Sequence, residues 1–181
     1  MPSSAPRPSI AIIGAGRAGR TFAGECAQAG YSVVLEDVMP SNLRHAEAQL
    51  AELGHTVRFA STVEDAVREA DVAVDFMPDD LESKLEIFSM IDRMAPPRTV
   101  MLTPSQTLSI TDLASCTYRP DRCIMVRDLD SASPRLLTAA ACSRATREVA
   151  ETLLTALRGQ ATVEADPDLP MLLKNMKAAT L

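Results

Sequence analysis

The sequence predicts a single α/β domain built on a doubly wound, mostly parallel sheet, and three observations predict it. A β-branched apolar run, Ser9-Ile10-Ala11-Ile12-Ile13, passes without a linker into Gly14-Ala15-Gly16-Arg17-Ala18-Gly19 and then into a helical apolar pattern. A second such run ends in Glu36-Asp37. Short apolar runs and helix-period segments then alternate along the chain, the pattern of a parallel sheet wound with crossover helices.

The glycine spacing has a steric logic that makes the fold Rossmann-type. Gly14 lets the first strand turn sharply, Gly16 lets the backbone approach a pyrophosphate, and Gly19 lets the next helix lie against the strand. That helix aims its amide end at the phosphates. Arg17 stands inside the turn, placed either to touch a phosphate or to stay in solvent. An acidic side chain at the end of the second strand takes the ribose hydroxyls of NAD and repels the extra phosphate of NADP, so Asp37, with Glu36 before it, points to NAD as cofactor. The same glycines would also serve a fold that no longer binds a nucleotide; the acidic strand end favours binding.

The remaining elements follow in order. Ala18, Phe22, Cys26 and Ala29 recur at helical spacing over 17–29, and Gly30 follows as a cap. A strand is predicted over 32–35. Pro40-Ser41 opens a helix carrying Leu43, Ala46, Leu50 and Leu53, with Gly54 as its stop. A short strand over 57–60 precedes a helix capped by Ser61 or Thr62 and running to residue 69, and 72–76 reads as a buried parallel strand. Residues 79–94 form the strongest helical pattern, with acids in the first turn, Leu81, Leu85, Phe88 and Ile91 on one face, and Met90 and Met94 suited to a core. Pro96-Pro97 ends it. A strand over 99–102, a short helix over 110–116 and strands over 122–126 and 136–140 come next. Residues 143–157 form the last long helix, with Val149, Leu153 and Leu157 inward, and a strand over 160–164 follows Gly159.

Composition narrows the function classes. At 181 residues and 46% hydrophobic, the chain supports one ordinary domain, expected over 9–168 between a disordered tail at 1–8 and a C-terminal tail at 169–181 able to form a short helix. With 24 acidic against 18 basic residues, its surface repels nucleic acid and anionic lipid. No apolar stretch reaches spanning length and the start lacks a signal-peptide core, so the expectation is a cytoplasmic protein with no membrane and no nucleic-acid partner. Cys26, Cys116, Cys123 and Cys142 lack C-x-x-C spacing and read as reduced thiols, and His45 and His55 have no ligand cluster, so no metal is expected.

The stretch Ala70-Asp71-Val72-Ala73-Val74-Asp75-Phe76-Met77-Pro78-Asp79-Asp80-Leu81-Glu82-Ser83-Lys84-Leu85 resembles the amino-terminal NAD-binding domain of the L-3-hydroxyacyl-CoA dehydrogenases. The resemblance runs from about residue 9 to 167, through the glycine turn, Asp37, Ala95-Pro96-Pro97-Arg98-Thr99, Leu108-Ser109-Ile110 and Arg119-Pro120-Asp121-Arg122. Asp166-Pro167 is similar to the start of the family's segment leading to its second domain. The resemblance implies Gly14, Gly16 and Gly19 at the pyrophosphate, Asp37 at the adenosine ribose, and Asp79 with Lys84 near the nicotinamide end. It also implies an acyl-CoA or acyl-carrier substrate and oxidoreduction of a 3-hydroxyacyl thioester.

The catalytic positions depart from that family. Where it carries a basic histidine stands Arg127, whose guanidinium does not release its proton near neutral pH. The position of the glutamate that orients the histidine is Ala139, and the family's carbonyl-positioning serine falls on Gln106. Ser105 and Thr107 flank it and would take that part only in a shifted loop. Arg127, Asp128 and Asp130 lie past the carboxyl end of a strand, where doubly wound sheets place ligands; they read either as a rebuilt acyl or carboxylate site or as a solvated ion-pair cluster. The family's helical second domain is expected to be missing, with only a short tail in its place. The expected function is thus an NAD-binding domain acting on a 3-hydroxyacyl thioester with a partner chain or altered residues, or a non-catalytic NAD module. Surface left bare without that second domain predicts a homo-oligomer or a partner chain, with residues 171–181 taking part.

Overall fold

The computed structural model describes residues 7–167. Most of the expected amino-terminal tail, and the whole 169–181 tail with its expected part in association, lie outside the described residues. The chain forms two compact units, one of residues up to Phe76 with Met94–Thr99, the other of Met77–Arg93 with the residues from Val100 on.

The first unit alternates strand and helix: β1 (Ser9–Ile13), α1 (Arg17–Gln28), β2 (Ser32–Glu36), α2 (Pro40–Glu52), β3 (Arg58–Ala60), α3 (Val63–Val67) and β4 (Val72–Asp75). Its strands run in the order β3-β2-β1-β4, all parallel, with Ile13 in register with Glu36 on one side and Asp75 on the other. Their carboxyl ends therefore lie level, and β1, at the centre, buries Ile10, Ile12 and Ile13 almost completely. A strand covered on both faces needs such a continuous apolar run. From α1, Phe22 reaches this core and lies 5.4 Å, centroid to centroid, from Phe76.

The second unit contains α4 (Leu81–Met94), β5 (Val100–Pro104), α5 (Ile110–Ser115), β6 (Cys123–Arg127), β7 (Arg135–Thr138), α6 (Arg144–Arg158) and β8 (Thr162–Ala165). Its strand order is β5-β6-β7-β8, parallel except between β6 and β7. The link between those two is too short for a helical crossover, so the chain doubles back as an antiparallel pair. The mostly parallel α/β class predicted from the sequence is the class found.

Several details differ from the expectation. Helix α6 buries Thr146, Ala150, Leu153 and Leu154, whereas Val149 and Leu157 are only half-buried. In α4 the buried set includes Lys84 and Asp92, while Met94 is 38% exposed. Asp92 is accommodated because Arg119 Nε and the Tyr118 amide each lie 2.8 Å from its carboxylate. Strand β5 continues to Pro104, beyond the predicted end at residue 102, and β7 stops at Thr138. No helix among the described residues is long and apolar enough to cross a membrane.

Candidate functional site

In the first unit, the turn after β1 is fixed by contacts that only glycines permit. Gly14 has a φ of +100°, and its amide donates to the Glu36 carbonyl at 2.9 Å, tying the turn to the end of β2. A Cβ on Gly19 would lie 1.9 Å from the Gly14 carbonyl oxygen, so no side chain fits. On Gly16 a Cβ would meet nothing within 4 Å: the space above it is open.

The start of α1 is left for something outside the helix. Gly16 is its N-cap and supplies no side-chain acceptor, and the first turn holds no acid. By contrast α3, α5 and α6 are capped by the hydroxyls of Thr62, Ser109 and Ser143. The amides and the positive end of the α1 dipole suit an anion. Arg17 is exposed beside them, and Arg20 braces the turn from below with Nη1 on the Ala15 carbonyl at 2.9 Å and Nε on Gln49 at 3.0 Å.

Asp37 joins the same turn. Its Oδ2 accepts from the Ala15 amide at 2.9 Å and from Asn42 Nδ2 at 3.0 Å, and its Oδ1 accepts from the Met39 amide at 2.8 Å. A carboxylate offers about four acceptor positions, so one on Oδ1 remains for a ligand hydroxyl. Glu36, which the sequence pairs with it, behaves differently. Its carboxyl is buried and Oε1 has no hydrogen-bond partner among the described residues. Burial, reinforced by the Asp37 charge and opposed by the Gly14 amide, pushes its pKa up to about 7. Near neutral pH the Glu36 carboxyl is therefore only partly ionised, and the strand end carries less charge than two free carboxylates would. Asn42 and Arg20 were not singled out from the sequence; the amide five residues after Asp37, in the first turn of α2, was the available signal.

The second unit brings together Asp79, Ser105 and Thr107. Asp79 Oδ1 accepts from Ser105 Oγ at 2.5 Å, and Oδ2 accepts from the Gln106 amide at 2.8 Å and from Thr107 Oγ1 at 3.5 Å. Ser105 Oγ in turn accepts from the amides of Thr107 and Leu108. The exposed carboxylate therefore sets the shape of the loop after β5. Lys84, its companion in the sequence, is almost wholly buried in α4.

At the end of β6 the three charged residues separate. Asp128 pairs with Arg135 at 3.0 Å, and Asp130 comes within 4.0 Å of Arg158. Arg127 joins neither pair: its Nη2 donates to the Leu108 carbonyl at 3.1 Å, and its Nε is buried without a partner among the described residues. Ala139 is buried and offers no polar group. Asp166 ties down the start of α5, its Oδ2 accepting from Ser109 Oγ, Thr111 Oγ1 and the Thr111 amide at 2.7–2.8 Å. A separate hollow of about 270 Å³ in the first unit, lined by Ser9, Ser32, Arg58 and Asp65 among others, opens at the amino ends of β1 and β2, away from Gly14 and Asp37.

The family model described as 3-hydroxyacyl-CoA dehydrogenase, NAD binding domain, matches residues 9–54 and 45–127. The chain is 31% identical over 133 residues to the "Probable 3-hydroxybutyryl-CoA dehydrogenase" of Bacillus subtilis, a match covering 64% of this chain and 46% of that protein. It is 29% identical over 131 residues to the 5-formyl-3-hydroxy-2-methylpyridine 4-carboxylate 5-dehydrogenase of Mesorhizobium japonicum, covering 64% and 42%. The chain spans about half the length of these curated relatives. Among solved structures, the (S)-3-hydroxybutyryl-CoA dehydrogenase of Ralstonia eutropha matches with a TM-score of 0.79 and 21% identity, over 88% of this chain and 64% of that one. A 3-hydroxyacyl-CoA dehydrogenase of Archaeoglobus fulgidus matches with a TM-score of 0.79 and 24% identity, over 96% and 61%. At these identities the solved structures speak for the fold.

Proposed function

Because the chain belongs to the family of NAD-binding domains of 3-hydroxyacyl-CoA dehydrogenases, we propose that it holds NAD(H) at the Gly14–Gly19 turn but does not on its own supply the proton transfer that oxidation of a 3-hydroxyacyl thioester needs. The observation that carries this reading is the uncapped start of α1 under open space at Gly16, beside a carboxylate with one acceptor position to spare. Gly14, Gly16 and Gly19 give the backbone its approach to a pyrophosphate, Arg17 adds positive charge, and Asp37 receives a ribose hydroxyl and disfavours NADP. Bound NAD supplies the two-electron acceptor or donor of the reaction.

The chain's own residues would have to manage the proton of the substrate hydroxyl. A guanidinium is a donor and not a proton acceptor, so Arg127 does not serve as the base, and Ala139 has no carboxylate to orient one. The Ser105 hydroxyl is engaged with Asp79, so Asp79 acts in this reading by setting the loop after β5. Loss of a general base costs about a hundredfold to ten-thousandfold in rate. Turnover therefore draws on a group outside the described residues, from a further segment, a second copy or a partner chain, with an acyl-CoA or acyl-carrier substrate. The same two replacements favour a second reading, a non-catalytic NAD module.

The test is to incubate the purified chain with NAD and L-3-hydroxybutyryl-CoA and follow NADH absorbance, with NADH binding measured in parallel. The expected result is cofactor binding with no more than trace turnover. Brisk turnover by the chain alone would show that another of its groups serves as the base.

A further inference from the structure

We propose that Arg127 is a carboxylate-binding residue, and that the ligand of the second unit is a 3-oxo or 3-hydroxy acid carrying a free carboxylate. The 3-oxo or 3-hydroxy group rests on the reading of the chain given above, with a free acid in place of the thioester; the anion site does not.

Arg127 closes β6, a strand that runs parallel to β5, and the carboxyl ends of such strands are where open α/β sheets take their ligands. Across the antiparallel pair it stands directly opposite Arg135. Residues so placed share one face, and like charges there repel. Arg135 is neutralised by Asp128 at 3.0 Å and Glu164 at 3.7 Å. Arg127 makes no ion pair among the described residues, and its bonding is a single contact to a main-chain carbonyl. The acids that follow it in the chain, and Asp79 beyond the loop after β5, are directed elsewhere. Asp128, the adjacent residue, adopts a left-handed conformation with φ of 54° and gives its carboxylate to Arg135, Asp130 approaches Arg158, and Asp79 is taken up by the loop after β5.

The guanidinium is nevertheless held in place. A line of hydrogen bonds runs from Asp79 through Ser105 Oγ to the Leu108 amide, and the Leu108 carbonyl then receives Arg127 Nη2. A half-buried cation whose Nε is enclosed without a partner among the described residues, opposite a second cation, is costly unless an anion meets the outer nitrogens of its guanidinium. The planar fork of arginine matches a carboxylate with two parallel bonds. A thioester carbonyl has no charge with which to do so, whereas a free acid does. Replacing a histidine by this arginine thus exchanges a proton acceptor for an anion anchor.

The test uses calorimetric titration of the full chain, with and without NADH, against acetoacetate, its uncharged methyl ester and inorganic phosphate. Acetoacetate is expected to bind about tenfold or more tightly than the ester. Arg127→Gln should remove that margin, Arg127→Lys should retain part of it, and NADH affinity should stay within about twofold in both. Equal binding of acid and ester by the unaltered chain would overturn the proposal without recourse to any variant, as would an acetoacetate affinity indifferent to Arg127→Gln. Phosphate binding as tightly as acetoacetate would assign the site to a phosphate group and overturn it too. Failure of NADH to bind, with acetoacetate still dependent on Arg127, would remove the cofactor reading and leave this one supported.

Discussion

The glycine turn of the first unit and the β5–β6 ends of the second treat their polar groups in opposite ways. At the turn, the α1 amides are left without a side-chain acceptor, space is open over Gly16, and Asp37 keeps one acceptor position. In the second unit Asp79, Ser105, Gln106, Thr107 and Leu108 satisfy one another, and the residue left over is a cation that cannot act as a base. Evolution of a site that binds but does not transfer protons would leave this contrast, because phosphate recognition uses backbone geometry while acid–base chemistry depends on single side chains. One substitution removes the second and leaves the first intact.

The largest effect expected is at Gly19. Placing a Cβ 1.9 Å from the Gly14 carbonyl oxygen forces α1 away from the turn, so Gly19→Ala should lose about 3 kcal/mol or more in denaturant unfolding and abolish measurable NADH binding. Gly16→Ala is its counterpart. With φ of −64° and no atom within 4 Å of the added carbon, it should unfold at the wild-type midpoint while binding NADH about tenfold more weakly. A destabilised Gly16→Ala would show that the open space belongs to the fold and not to a ligand.

Next is the pH dependence set by Glu36. Its folded pKa, about 7, lies above its ordinary value of 4.5, so its contribution to stability is complete below pH 4.5 and is lost as pH rises through 7, about 3 kcal/mol at the limit. Urea unfolding at pH 5 and pH 8 should show this fall in the wild type, and Glu36→Gln should flatten it. An identical pH slope in the variant would place the effect elsewhere.

Much of the first unit was legible in the sequence because its elements are specified locally. The β-branched runs, the stop at Gly54 and the Thr62 cap each announce themselves within a few residues. What could not be read was decided by distant partners. Lys84 and Asp92 look like solvent-facing residues of α4, yet both are buried, Asp92 because Arg119 arrives 27 positions later. The inward face of α6, a helix packed against β5, β6 and β7, turned on Thr146 and Ala150, which are buried but whose small side chains give no strong apolar signal. Asp79 meets Ser105 across 26 positions, and Arg127 meets Leu108 across 19, so neither the loop clamp nor the arginine's isolation had a local pattern. The glycines and Asp37 lie within one strand–helix–strand unit, which is why that end of the site was accessible.

A smaller effect is expected from restoring the family's proton-transfer pair. Arg127→His with Ala139→Glu should raise oxidation of L-3-hydroxybutyryl-CoA by less than about tenfold. Ala139 is 8% exposed, so a carboxylate there must find a buried partner, and the loop after β5 loses its bond from Arg127. A gain of several hundredfold, measured in steady-state assays, would mean that nothing else separates this chain from an active dehydrogenase.

The contrast between the two regions is tested most directly by calorimetric titration of the full chain with NADH and with NADPH. One NADH is expected to bind per chain, with NADPH at least about tenfold weaker because its additional phosphate would face the Asp37 carboxylate, and with that preference lost in Asp37→Ala. Absence of saturable NADH binding would contradict the cofactor reading and leave the glycine turn as a packing device alone, and equal affinity for the two cofactors would contradict the part given to Asp37.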